Sequence, residues 1–434
     1  MNSALLDLRI NGERLWKTLM DMGEIGATSR GGCNRQALTD EDKAGRELFM
    51  RWCGESNCSF RVDEIGNIFA GRKGRSSTAP PVILGSHLDT QPTGGKFDGV
   101  YGVLSGVEIL RTLEENAIET DFPIEVAVWT NEEGARFAPA MMGSGVWSGK
   151  FDLEEMYAVT DKDGVSIGSE LERLGYKGGT PARAGRVRAA FEVHIEQGPI
   201  LEAEGRQIGV VTGTQGLRWY DLTIEGEACH AGPAPMESRR DPVTGLLPIL
   251  RTCYELANRY APWARVTFGD IGAEPGSRNT VPRKILVNID LRHPDAVILD
   301  RMDEELRACV SKECESRGLR GSIDEIWHMP CVEFAPECVE SVRQAADYLN
   351  YSNMDMVSGA GHDSVHVAAV APAAMIFVPC EKGISHNEAE NAKPEDLEAG
   401  ANVLLHAVLG MACEGYETSR PPRRRGMRKT GTAS

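Results

Sequence analysis

Four short β-rich runs organise this chain: "PPVILGSH" (80–87), "PIEVAVWTNEE" (123–133), "AFEVHIEQG" (190–198) and "AAMIFVPC" (373–380). Each gives way to a polar or glycine-rich turn, and helix-period segments such as 100–115 and 394–412 lie between several of them. That rhythm confines the chain to an α/β architecture with a mostly parallel central sheet. Ligands of such sheets bind beyond the carboxyl ends of the strands, so the polar residues found there are the first candidates for chemistry.

The middle of the chain breaks the rhythm. From about residue 213 to 330 the order is strand ("RWYDLTIEGE"), helix (240–260), strand ("ARVTFGDIGA"), strand ("KILVNIDLR"), helix (296–317), strand ("GSIDEIWH"). This β-α-β-β-α-β order is that of a ferredoxin-like module. The α/β rhythm resumes after about 332, so the module reads as an insertion. The expected division is a catalytic domain in two parts, 1–212 and 331–417, an inserted domain over 213–330, and a basic, Pro/Gly-rich tail, 418–434, expected to be disordered. Length agrees, because 434 residues with 41% apolar content exceed the roughly 250–300 at which single cores stop growing.

A formal charge of −17 and a pI near 5.1 would repel phosphate backbones and anionic headgroups. Nucleic acid and membrane partners are therefore not expected. The N-terminal "MNSALLDLRINGERLW" is broken by charges, and no later run approaches the roughly 20 apolar residues of a membrane span, so the expectation is a soluble cytoplasmic protein. Eleven cysteines, an odd count without a C-x-x-C spacing, read as reduced and mostly buried thiols. If a metal is bound, its ligands are elsewhere.

Those ligands have candidates at the strand ends. His87 and Asp98 follow the first run, Glu132 and Glu133 end the second, His194 and Glu196 end the third, and His386 follows the fourth. Each has a bland reading: a surface histidine, an Asp-Gly turn at Asp98, a solvated acidic pair at 132–133. Together they offer imidazole and carboxylate, the donors that suit zinc and its first-row neighbours in catalytic sites.

The blocks "GSHLDTQPTGGKFDG", "TNEEGARF", "HIEQGP", "HAGPAPM", "NTVP", "DLRHP", "SGAGHDS" and "GISHNEAE" follow one another in a familiar order. In this the chain resembles, from about residue 13 to 412, the amidase, hydantoinase and carbamoylase branch of the dinuclear-zinc aminoacylase/carboxypeptidase superfamily. The resemblance implies a zinc-peptidase-like catalytic domain, with the insertion as a lid through which a homodimer forms. By the same resemblance His87 binds one of two divalent ions, Asp98 bridges them, and Glu133, His194 and His386 complete the ligation. Zinc is the ion implied first, with manganese, cobalt or nickel as alternatives. Glu132 would be the general base, and Asp89 would hydrogen-bond His87 to fix its tautomer.

Substrate contacts carry over too. Arg292 matches an arginine that grips a substrate carboxylate, Asn279 and Gln197 match groups that hold its polar atoms, and His230 matches the residue that stabilises a developing oxyanion. Gly361 and His362 would border the pocket. Pro233-Ala234 departs from the usual pair of threonines after His-Ala-Gly. His293, His328, His366 and His406 are taken as structural. The activity implied is hydrolysis of an N-carbamoyl amino acid, an L-α-amino acid or β-alanine derivative, as in N-carbamoyl-L-amino-acid hydrolases and β-ureidopropionase. Allantoate amidohydrolase and N-acyl amino acid amidase are the alternatives. A binding protein on the same scaffold is a further one, which the loss of Glu132 or a ligand would favour.

Overall fold

The computed structural model describes residues 3–76 and 78–416, so the tail expected to be disordered from 418 lies outside the described residues. The described chain forms two compact units. One takes the chain up to Thr212, Phe334–Met356 and the chain from Gly361 onward; the other takes Gly213–Glu333 and Val357–Ala360. In chain order the strands are β1 (Ser59–Val62), β2 (Ile68–Arg72), β3 (Val82–His87), β4 (Ile124–Trp129), β5 (Ala189–Ile195) and β6 (Ile208–Thr214). Then come β7 (Gly216–Glu225), β8 (Cys229–His230), β9 (Arg265–Glu274), β10 (Thr280–Val281), β11 (Lys284–His293) and β12 (Arg320–Met329). The last three are β13 (Val332–Glu333), β14 (Asn353–Ser358) and β15 (Ala373–Val378).

The large sheet runs β1-β2-β4-β3-β5-β15-β6-β13, with β14 also paired to β6. Its centre, β4-β3-β5-β15, is parallel throughout. Its flanks are antiparallel at β1-β2, β2-β4 and β15-β6, so the mostly parallel sheet is a mixed one. The difference has a local cause: β1 and β2 are joined by a short turn, which only an antiparallel pair permits. Strands β3, β5 and β15 are buried at every position, as parallel strands covered on both faces must be. Helix Val100–Glu115 is apolar almost all round and packs against β3 and β5, the pattern of an interior helix. Helix Pro394–Ala412 does the same against β15.

The second unit is built as its sequence order predicts. Strands β12-β7-β11-β9 form an antiparallel sheet, and helices Pro242–Arg259 and Ala296–Glu315 pack on it. Alternation sets the core: Tyr220, Leu222 and Ile224 of β7 and Ile285, Val287 and Ile289 of β11 turn inward to the helices. Strands β8 and β10 make a separate two-stranded ribbon that pairs His230 with Thr280.

All eleven cysteines are free thiols, as their spacing suggests. Among the described residues no helix is long and apolar enough to cross a membrane.

Candidate active site

The strand order brings the candidates together. Strands β4, β3, β5 and β15 are neighbours and run the same way, so their carboxyl ends lie side by side. His87 closes β3, Glu132 and Glu133 follow β4, His194 lies on β5, and His386 follows β15. Asp98 sits just before helix Val100–Glu115 and is the centre of the cluster. Its Oδ1 lies 3.0 Å from His194 Nε2 and 3.6 Å from His87 Nε2. Its Oδ2 lies 3.3 Å from His386 Nε2, which is also 3.3 Å from Glu133 Oε2. Glu132 Oε2 stands 3.5 Å from His87 Nε2.

Two ligand groups therefore share one carboxylate: His87, Asp98 and His194, and Asp98, Glu133 and His386, with the ligating atoms of each within 4.8 Å of one another. The ring orientations test whether a cation fits. His87 Nδ1 faces the Asp89 carbonyl at 2.9 Å and His194 Nδ1 faces the Ile195 carbonyl at 2.8 Å. A ring nitrogen facing a carbonyl carries the proton, so in the neutral ring each Nε2 lone pair points into the cluster. The Gly99 N–H donates to His194 Nε2 at 3.0 Å, in keeping with a lone pair there. A lone pair and a carboxylate oxygen in contact repel unless a cation lies among them, so the donor set fits divalent ions.

Electrostatics agree. Burial pushes the Glu132 carboxyl well above its ordinary range, with His87 opposing and Asp363 and Glu133 adding to the rise. Burial, then Asp98, raises Glu133 to about 7. The hydrogen bond to Asp98 raises His386 to about 9. Burial would raise Asp98 as well, but the neighbouring His194, His386 and His87 hold it well below the usual carboxylate range. Among the described residues, the ion-pair partners of Asp98, Glu132 and Glu133 are histidines alone. So many buried acids without Lys or Arg call for another source of positive charge.

Backbone geometry supports the cluster. Asn131, Gln197 and His386 adopt left-handed φ values of 55°, 56° and 53°. Such conformations cost non-glycine residues about 1–3 kcal/mol each and persist where the surroundings impose them. Gly99 has φ 65°, and a Cβ there would stand 2.3 Å from the His87 ring, so the glycine of "FDG" lets helix and imidazole meet.

Other candidates take more specific places. Asp89 does bond His87, but through its main-chain carbonyl; its carboxylate instead accepts from the N–H groups of Glu132 (3.3 Å) and Glu133 (3.2 Å). Its side chain thus sets the acidic pair, while its backbone sets the histidine. Gln197 Nε2 donates to Asp98 Oδ2 at 2.7 Å. His362 is buried edge-on against His194, with centroids 4.6 Å apart, and Gly361 leads into it. In the second unit, Ala231 N–H donates to the Asn279 carbonyl at 2.9 Å, and His230 Nδ1 accepts from Gly232 N–H at 3.1 Å. Arg292 is paired with Asp290 at 2.8 Å and donates to the Gly359 carbonyl at 3.1 Å. His406 lies between Tyr416 and the Leu8 carbonyl.

Sequence reasoning missed several supports. Gln91 holds Glu133 through its side chain at 2.8 Å. Glu192, on β5, accepts the hydroxyls of Ser86 and Ser364, each at 2.6 Å, which engages its oxygens beside His194. Glu390 and Ser385 stand behind Asp98. Both lie in the "GISHNEAE" block, which was the only signal available for them.

A fold of this kind with a histidine–carboxylate cluster at the strand ends defines a metal-dependent hydrolase. A profile of the peptidase family M20/M25/M40 matches residues 83–410. An N-carbamoyl-L-amino-acid amidohydrolase of Rhizobium meliloti is 50% identical over 404 residues, 93% of this chain and 97% of that one. An allantoate amidohydrolase of Bacillus subtilis is 32% identical over 393 residues, 90% of this chain and 95% of that one. The crystal structure of an amidase of the hydantoinase/carbamoylase family from Burkholderia multivorans superposes with a TM-score of 0.91 at 51% identity, over 94% of this chain and 99% of that one. The chain belongs to the M20/M25/M40 peptidase family and is an amidohydrolase.

Proposed function

We propose that this chain hydrolyses an N-carbamoyl-L-amino acid to the free amino acid, carbon dioxide and ammonia. The observation that carries the reading is likeness along nearly the whole length of both chains to an amidohydrolase of that name, with the acid–histidine cluster complete. His87, Asp98 and His194 would hold one divalent ion, and Asp98, Glu133 and His386 a second, zinc first among the candidates. When bound, such ions polarise a scissile carbonyl and lower the pKa of water. Glu132 takes the proton from the attacking water and returns it to the departing nitrogen, so that a C–O bond forms as the C–N bond breaks. Gln197 and Asp89 keep Asp98 and the 132–133 pair in place. The oligomer proposed is a cytoplasmic homodimer formed through the inserted unit, a reading that rests on the family resemblance.

The test is a substrate panel. After loading with Zn2+, Mn2+, Co2+ or Ni2+, the chain should release ammonia and free amino acid from N-carbamoyl-L-amino acids faster than it turns over allantoate, N-formyl or N-acetyl amino acids. A preference for allantoate would replace the assignment with the second reading, which the Bacillus relative motivates. No turnover of any compound by metal-loaded chain would leave a binding protein.

His230, Asn279, Arg292, Gly361 and His362 are proposed as substrate groups. Arg292 makes the sharpest prediction. Its guanidinium is already oriented by Asp290, with Nε 3.0 Å from both carboxylate oxygens, and by the Gly359 carbonyl 3.1 Å from Nη1, and of its five N–H bonds those left over suit a planar anion. Arg292→Ala should lower kcat/KM about 10–100-fold for carboxylate substrates, since a charge-assisted hydrogen bond is worth about 1.5–3 kcal/mol. Carboxamide analogues should lose far less. Equal losses on both would make Arg292 a structural partner of Asp290.

A further inference from the structure

Glu390 is buried, at 6% exposed, in the loop that carries His386, yet it reaches the loop that carries Asp98. Its Oε1 accepts from the main-chain N–H groups of Phe97 (2.9 Å) and Asp98 (3.1 Å). Its Oε2 is 3.1 Å from Ser385 Oγ, and that same hydroxyl lies 2.9 Å from Asp98 Oδ2. One side chain thus grips the Asp98 backbone directly, and Ser385, whose single proton serves one acceptor at a time, stands between the two carboxylates. The approach explains a glycine that catalysis leaves unexplained: a Cβ on Gly95, in "TGGKFDG", would stand 2.0 Å from Glu390 Oε1. A buried acid beside another acid is costly, and either partner loop could have satisfied its own N–H groups more cheaply. Position is what this arrangement secures.

We infer that Glu390 is a positioning residue that fixes the Asp98 carboxylate relative to the His386 loop, so that one carboxylate serves both ligand groups at once. This rests on the reading of those groups as metal sites. The requirement is geometric: two acceptor positions on one side and a partner for Ser385 on the other. Glutamine satisfies it, because its carbonyl oxygen can accept from both N–H groups while its amide donates to Ser385 Oγ and leaves the hydroxyl proton for Asp98. Aspartate keeps the charge but is about 1.5 Å too short to span the two loops.

The experiment is a Co2+ titration of the metal-stripped full chain, followed by absorbance in the presence of a competing chelator. Glu390→Asp should weaken Co2+ binding about 10–100-fold, the usual cost of losing a partner that orients a ligand, while Glu390→Gln stays at the wild-type value. The melting temperature of each metal-free chain separates folding from ligation. If Glu390→Asp does not fold, Gly95→Ala takes its place, since the added methyl would stand 2.0 Å from Glu390 Oε1 and 2.5 Å from its Cβ, displaces that side chain and should weaken binding likewise. Wild-type affinity in Glu390→Asp, or a loss in Glu390→Gln as large as in Glu390→Asp, overturns the inference. Failure of the wild-type chain itself to take up Co2+ would overturn the metal reading beneath it.

Discussion

Replacing Asp98 by alanine should empty both ligand groups and lower kcat/KM by about 10³–10⁴, because polarisation of a carbonyl by a cation is worth several kcal/mol and each 1.36 kcal/mol is tenfold. The two groups share this one carboxylate. Oδ1 of Asp98 belongs to the group with His87 and His194, and Oδ2 to the group with Glu133 and His386. His386→Ala removes a donor from one group only. Metal content by mass spectrometry should therefore fall further in Asp98→Ala than in His386→Ala, and the two should separate under mild chelation. Full retention of metal by Asp98→Ala would show that the ions lie elsewhere. A second consequence concerns refilling: without the shared carboxylate each group lacks one of its donors, so added metal should not restore activity.

The residues of this cluster were legible because each ends or follows an apolar run, and an α/β rhythm says that such ends hold ligands. What periodicity cannot say is which strands are neighbours. His87, His194 and His386 meet because β3, β5 and β15 adjoin, an order set by packing over the whole sheet. The resemblance to a known family supplied that missing step. The short flanking strands "SFRV" and "IFAGR" were invisible for a different reason, since runs of four and five residues carry too little alternation to stand out. The inserted unit was the most readable part, because β11 and most of β7 alternate between a helix-covered face and an open one.

The supporting contacts were the least readable. Glu390 bonds Phe97 across 293 residues of sequence, and no local pattern announces such a contact. Asp89 shows a finer limit. A residue has two acceptors, a carbonyl and a carboxylate, and the sequence does not say which serves which neighbour. Only the chain's path past β3 turns the carbonyl to His87 and frees the carboxylate for the 132–133 pair.

That pair gives the remaining large effect. Glu132 and Glu133 are adjacent in sequence yet face different partners: Glu133 is held by Gln91 and lies 3.3 Å from His386, whereas Glu132 turns to His87. On the function proposed above, Glu133 ligates and Glu132 transfers the proton. Glu132→Gln preserves shape and a carbonyl oxygen but cannot take a proton, so turnover should fall by about 10²–10⁴ while metal content and KM remain near those of the wild type. Glu133→Gln should show the opposite signature, with weakened metal binding first and activity partly recovered when metal is supplied in excess. The paired measurement is decisive because the two substitutions are chemically the same and differ by one position. Loss of metal from Glu132→Gln together with retention in Glu133→Gln would exchange the two roles; retention in both with equal loss of turnover would mean that neither acid is a ligand.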